Sequence, residues 1–152
     1  MSKVVVVSGC TGSGKTTLSR VLCHSTGFHC VNFGDQLRAE LRRREVAPAT
    51  RREIGPQFLE LCGLDDYLRL LHACADLGTV LDGVRLFAGV THLRSAALPV
   101  VHVFRDGPSP AVSEELFEEE LGRLRADADV VVPWKPTVAG VEAEGGALAY
   151  AW

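Results

Sequence analysis

A run of four valines followed at once by a glycine-rich loop fixes what the start of this chain can be. Val4-Val5-Val6-Val7 is β-branched throughout and reads as a strand. Gly9-Cys10-Thr11-Gly12-Ser13-Gly14-Lys15-Thr16 then fits G-x-x-x-x-G-K-[ST] at every fixed position. A segment of helical period follows, with Leu18, Val21 and Leu22 on one face. Strand, glycine loop and helix are the context in which this pattern cradles phosphate. Glycines let the backbone N–H groups curl toward a triphosphate, and the helix N-terminus adds partial positive charge. Lys15 is placed to reach the β- and γ-phosphates, and the Thr16 hydroxyl to ligate Mg²⁺. Gly9 through Thr16, with Thr17 next to them, form the expected triphosphate site.

The rest of the composition frames that site. A length of 152 residues suits a single domain with a real core, and 47% hydrophobic with 23% charged residues is ordinary for a soluble globular protein. A formal net charge of −3 argues against a nucleic-acid polymer as partner. The strand begins within three residues of Met1, leaving no room for a leader, and no apolar run approaches the roughly 20 residues that span a bilayer. A cytoplasmic protein without a membrane partner is expected. The five cysteines (Cys10, Cys23, Cys30, Cys62 and Cys74) contain no C-x-x-C, so neither a disulfide framework nor a zinc site is indicated. The five histidines have no metal-ligand spacing.

Along the chain, Phe28 to Phe33 reads as a second strand, and Gly34-Asp35 leads into a helix with Leu37 and Leu41 on its core side and Arg38 and Arg42 on another. Pro48 is expected to stop it. Thr50 and Glu53 form a capping-box pattern before a short turn interrupted at Gly55-Pro56, and helical spacing then runs from Phe58 to Leu71 as one helix broken at Gly63 or as two. Further strands are expected over Thr79–Gly83, Pro99–Phe104 and Asp129–Val132. A short helix over 89–97 and an acidic helix capped by Ser113, carrying Leu116, Phe117, Leu121 and Leu124, lie between them. Strands alternating with helices imply an α/β fold: a three-layer α/β/α sandwich on a five-stranded parallel sheet. Such sheets bind ligands at the carboxyl ends of their strands.

The chemistry-bearing residues do follow strand ends. Asp82 closes an apolar run, where a carboxylate either holds Mg²⁺ or serves as a turn residue in Asp-Gly. Arg85, three residues on, either grips a phosphate or lies on the surface. Asp35 either caps its helix or faces the cleft, and Arg38, one turn in, is placed to reach an acceptor phosphate. Arg51 and Arg52 are further acceptor-side candidates, of which one is expected to face inward. The acidic cluster Glu114 to Glu120 reads as an exposed helical face.

Phe33-Gly34-Asp35-Gln36-Leu37-Arg38-Ala39-Glu40 resembles the G-D-x-L-R-x-E segment of nucleoside monophosphate kinases of the P-loop superfamily, and Leu81-Asp82-Gly83-Val84-Arg85 resembles their L-D-G-[FY]-P-R segment with one residue closed up. That D-G-x-R form, with Thr50 to Gly55, is closer to deoxynucleoside monophosphate kinases and related small kinases. The resemblance covers roughly residues 3 to 105. It implies one P-loop kinase domain over 1–152, a helical acceptor-binding arm over 34–75, and transfer of a phosphoryl group from Mg-ATP to a nucleoside monophosphate or similar phosphorylated small molecule. Lys15, Arg85, Arg105 and Asp35 are the catalytic candidates, Asp35, Arg38 and Arg85 the acceptor-binding ones, and Thr16 and Asp82 the metal ligands. A phosphate acceptor is already an anion and needs no general base; positioning and electrostatics suffice.

The sequence departs from that family after Arg105. The lid is cut to a short loop over 105–112 with Arg105 as its sole early arginine, and Trp134 or Pro136 occupies the place of the adenine loop. Two other readings follow. The acceptor could be a hydroxyl, as for gluconate or shikimate kinases, with Asp35 as general base. Alternatively the protein is a degenerate nucleotide-binding regulator. Monomer and homodimer are both compatible, since a truncated lid leaves room for a partner's arginine.

Overall fold

In a computed structural model of the chain, the described residues are 2–9, 13–51, 53–107 and 118–133. Five strands, β1 (Val4–Gly9), β2 (His29–Asn32), β3 (Thr79–Asp82), β4 (Val100–Arg105) and β5 (Val130–Val132), form one sheet in the order β2-β3-β1-β4-β5. Every pairing is parallel. The helices are α1 (Lys15–Thr26), α2 (Phe33–Arg43), α3 (Ile54–Cys74), α4 (Phe87–Ser95) and α5 (Glu118–Asp127).

The valine run shows why the sheet has a layer on each face. Successive strand side chains point to opposite faces. Val4 and Val6 pack with Leu37, Leu41, Phe58, Leu71, Val90, Leu93 and Leu124 from α2, α3, α4 and α5. Val5 and Val7 pack with Leu18 and Leu22 of α1 and with Val80, Val103 and Val132. All four valines are fully buried, which makes β1 the central strand and points its carboxyl end into the middle of one edge. The expected three-layer, five-stranded parallel sheet is the observed fold.

Several boundaries differ from the sequence reading, each for a local reason. β2 ends at Asn32 and Phe33 already belongs to α2, because the Asn32 side chain accepts the Asp35 N–H at 3.1 Å and caps the helix one residue after the strand. α2 ends at Arg43, before Pro48; Glu45 takes a left-handed φ of 62° and Val46 N–H returns to Leu41 C=O at 2.9 Å, closing the end without a glycine. Gly55-Pro56 does not interrupt α3 but lies in its first turn, where proline is tolerated because the N–H there has no helical acceptor. Thr50 and Glu53 do not cap reciprocally; their side chains bond each other at 3.2 Å. Gly63, at φ 85° and ψ 168°, breaks α3 as expected. α4 begins at Phe87, whose N–H is capped by Glu120 from α5 at 2.9 Å. β4 runs one residue further than expected and includes Arg105. Ser113, Leu116 and Phe117, the lid from residue 108 on, and Trp134 and Pro136 lie outside the described residues.

Candidate active site

The parallel register brings the strand ends together. Asp82 is level with Val7 of β1 and with Asn32 of β2, and Arg105 is level with Gly9. Between β1 and α1, Gly14 takes φ 87° as the N-cap of α1, so the backbone turns directly into a helix whose first residues are Lys15 and Thr16. Cys10, Thr11 and Gly12 of the expected triphosphate site lie outside the described residues.

Thr16, Asp82, Asn32 and Asp35 form one hydrogen-bonded chain across three strand ends. Thr16 Oγ1 donates to Asp82 Oδ2 at 3.3 Å, Asn32 Nδ2 donates to the same oxygen at 3.4 Å, and Asn32 Oδ1 accepts the Asp35 N–H. Asp82 is 3% exposed. Burial raises its pKa, opposed by the nearby Lys15 ammonium and by the bonds from Thr16 and Asn32. Its second oxygen, Oδ1, is buried and accepts no hydrogen bond among the described residues. An orphaned carboxylate oxygen beside a threonine hydroxyl is the donor set a hard divalent cation takes, so Thr16 and Asp82 fit Mg²⁺.

One cleft of about 390 Å³ opens over these residues. It is lined by Gly14, Lys15, Thr16 and Thr17 from the start of α1, by Asp82 at the end of β3 and Arg85 after it, by Asp35 and Arg38 from α2, by Arg51, and by Ile54, Gly55 and Tyr67 from α3. Asp35 is 68% exposed at the side chain and lies 3.9 Å from Arg38, a solvent-screened pair that contributes little stability. Tyr67 is buried, and burial raises its pKa, so its hydroxyl stays protonated at any physiological pH. It stacks edge-on against Phe33 at 5.0 Å and Phe58 at 6.4 Å, which fixes the α3 wall of the cleft.

Arg105 is the site residue whose place differs from expectation. It is not among the residues lining the cleft, as a lid arginine would be; it is fully buried, with Nε donating to the Ser13 carbonyl at 3.0 Å. Arg125, at the end of α5, pairs with Asp106 through two bonds of 2.9 and 3.2 Å, and Arg123 pairs with Glu119. Arg42 is not among the cleft-lining residues, whereas Arg51 is. One cleft residue escaped the sequence reading. Asn32 was hidden inside an apolar run, although an Asn three residues before an acid and just ahead of a helix is a capping signal.

Fold and site together define a P-loop nucleotide-binding domain of the α/β class, with one five-stranded parallel sheet. The chain belongs to the family described as AAA domain, which matches residues 8–98. No curated protein matches it. Among solved structures it is similar to shikimate kinase from Aquifex aeolicus vf5, at 19% identity and a TM-score of 0.64 over 97% of this chain and 96% of that one. A sugar kinase from Janibacter sp. HTCC2649 aligns at 21% identity and a TM-score of 0.58 over 100% and 94%. A gluconokinase from Sinorhizobium meliloti 1021 aligns at 18% identity and a TM-score of 0.54 over 98% and 92%.

Proposed function

We propose that this protein transfers the γ-phosphoryl group of ATP to a small anionic acceptor bound between α2, α3 and the end of β3, a nucleoside monophosphate or similar phosphorylated molecule being the first choice. The observation that carries this reading is the shared cleft: Lys15, Thr16 and Asp82 line it together with Arg38, Arg51 and Arg85. Lys15 offsets charge on the transferring group, and Thr16 and Asp82 hold Mg²⁺, which when bound neutralises charge on the β- and γ-phosphates. Arg38 and Arg85 grip the acceptor anion, since a guanidinium fork matches phosphate or carboxylate geometry. In this reading residues 34–75 are the acceptor arm and 105–112 a shortened lid within one domain, 1–152.

A second reading has its own support. Asp35 is an exposed carboxylate on the same cleft. Solved folds similar to this one are named shikimate kinase, sugar kinase and gluconokinase. With a hydroxyl acceptor, Asp35 would take the hydroxyl proton as general base and the arginines would bind an acceptor carboxylate. ADP release from Mg-ATP over a panel of nucleoside monophosphates, sugar acids and neutral sugars tests both. Turnover with an anionic member is expected; turnover with neutral sugars only would overturn the anionic-acceptor proposal. On the acceptor that works, Asp35→Asn should cost severalfold if that acceptor is a phosphate and about 100-fold or more if it is a hydroxyl.

A further inference from the structure

We propose that His102 and Arg105, both on β4, are positioning residues that hold the phosphate loop from beneath at its two stems. This rests on the donor half of the function above, the binding of nucleotide by the loop, and is independent of the acceptor.

The entry stem is held through Ser8. His102 is fully buried and both ring nitrogens are engaged: Nδ1 lies 2.9 Å from Asp127 Oδ2 and Nε2 lies 2.6 Å from Ser8 Oγ. A carboxylate can only accept, so Nδ1 carries the proton and Nε2 accepts from the Ser8 hydroxyl. Ser8 is 1% exposed and is the second-last residue of β1, so its geometry sets the direction in which the chain leaves the sheet. The far end of this chain is fixed as well. Arg94 of α4 bonds Asp127 at 3.4 Å and Asp129 at 3.2 Å, and Asp129 accepts the His102 backbone N–H at 2.8 Å. The imidazole is thus held in one tautomer and one orientation by groups on α4, α5 and the turn before β5.

The exit stem is held through Ser13. Arg105 Nε donates to its carbonyl, and Ser13 is the residue before the Gly14 N-cap of α1. Between the stems, Gly9 sits against the β4 backbone so closely that a Cβ there would lie 2.4 Å from the Arg105 carbonyl oxygen. Neither His102 nor Arg105 lines the cleft. Their effect on nucleotide passes through Ser8 and Ser13, and stems that are already fixed lose less freedom on binding.

The test measures the Kd of Mg-ATP and the Tm without nucleotide for the wild type and for Ser8→Ala, Arg105→Lys and Asp127→Asn. Each variant is expected to weaken Mg-ATP about three- to tenfold, the range of one net hydrogen bond. In ¹⁵N-imidazole-labelled wild type, the His102 resonances should shift on adding Mg-ATP although the ring does not line the cleft. Wild-type Kd values in variants with lowered Tm, or unmoved His102 resonances, would reduce the pair to ordinary core residues. If Arg105→Lys does not fold, Arg105→Gln, which keeps a donor toward the Ser13 carbonyl, takes its place for the exit stem, and Asp127→Asn, whose side chain is partly exposed on α5, decides the entry stem. Wild-type protein that fails to bind Mg-ATP overturns the donor-site reading and the brace together. Wild-type binding with unaltered variants overturns the brace alone.

Discussion

Asp82→Asn should make the metal-free protein more stable and the loaded protein nearly inert. In the absence of a cation, the Asp82 carboxylate is 3% exposed, receives two long side-chain bonds of 3.3 and 3.4 Å with a weaker contribution from the Gly83 N–H, and leaves Oδ1 without a close partner among the described residues. A buried acceptor left unsatisfied costs about 1–3 kcal/mol, more if charged. Lys15 offsets part of that cost, since it lowers the pKa that burial raises. An isosteric amide keeps its oxygen on Thr16 and Asn32 and puts its NH2 in the place of Oδ1, so what it removes is the buried charge, a net gain of about 1–2 kcal/mol. For a domain of this length that is about 2–8 °C in Tm. Thermal unfolding in chelator measures it. The same substitution removes an anionic metal ligand, so Mg²⁺-dependent turnover should fall about 100-fold or more, roughly 2.7 kcal/mol of transition-state stabilisation. A metal-free Asp82→Asn protein that melts below the wild type, or one that keeps wild-type turnover in Mg²⁺, would refute the assignment of Asp82 as a carboxylate held in strain for a cation.

Lys15→Ala should abolish transfer and also lower the Tm in chelator, because Asp82 loses the ammonium that offsets its buried charge; turnover assays on the acceptor found by screening decide the first and thermal unfolding the second. Gly9→Ala meets the Arg105 backbone oxygen at 2.4 Å and is expected to cost about 2 kcal/mol or more in denaturant unfolding, with loss of Mg-ATP binding. Phe58→Ala empties a fully buried site against Tyr67 and should cost about 3–5 kcal/mol and raise the KM for acceptor more than for ATP. His102 sets a pH dependence. Burial lowers its pKa from 6.5, with Asp127 and Asp129 opposing and Arg94 assisting. The unfolded chain then binds more protons than the native one just below pH 6.5, so stability should fall as the pH drops through that window. Urea midpoints at pH 7 and 5.5 should show less acid loss in His102→Gln than in the wild type.

Much of this was legible because it is written in local pattern. A valine run, a glycine loop and Leu18 with Leu22 at helical spacing specify β1, the loop and α1 without reference to the rest of the chain. The strand-end rule then located Asp35, Arg38, Asp82 and Arg85, and all four line one cleft. What failed was set by distant partners. Phe87 starts α4 because Glu120 reaches its N–H across 33 residues of sequence. Arg105 was visible as an arginine at a strand end, but its burial depends on Ser13 arriving above it, 92 residues away in the chain. His102 had no legible signal, because an isolated histidine in a strand is ordinary until Ser8 and Asp127 flank it.

The sheet order has a consequence for how such a protein can change. β2 and β3 are parallel neighbours in register from His29↔Thr79 to Asn32↔Asp82, so everything between them leaves at the carboxyl end of β2 and crosses back to the amino end of the strand beside it. The proposed acceptor side is built almost wholly from that excursion, while the loop, α1 and β4 belong to the remaining frame. A chimera that exchanges residues 33–75 keeps both anchoring strands and both halves of the phosphate-loop brace. Acceptor choice and nucleotide binding are therefore separable by cut and splice at two junctions, and a new acceptor can be acquired without rebuilding the donor half.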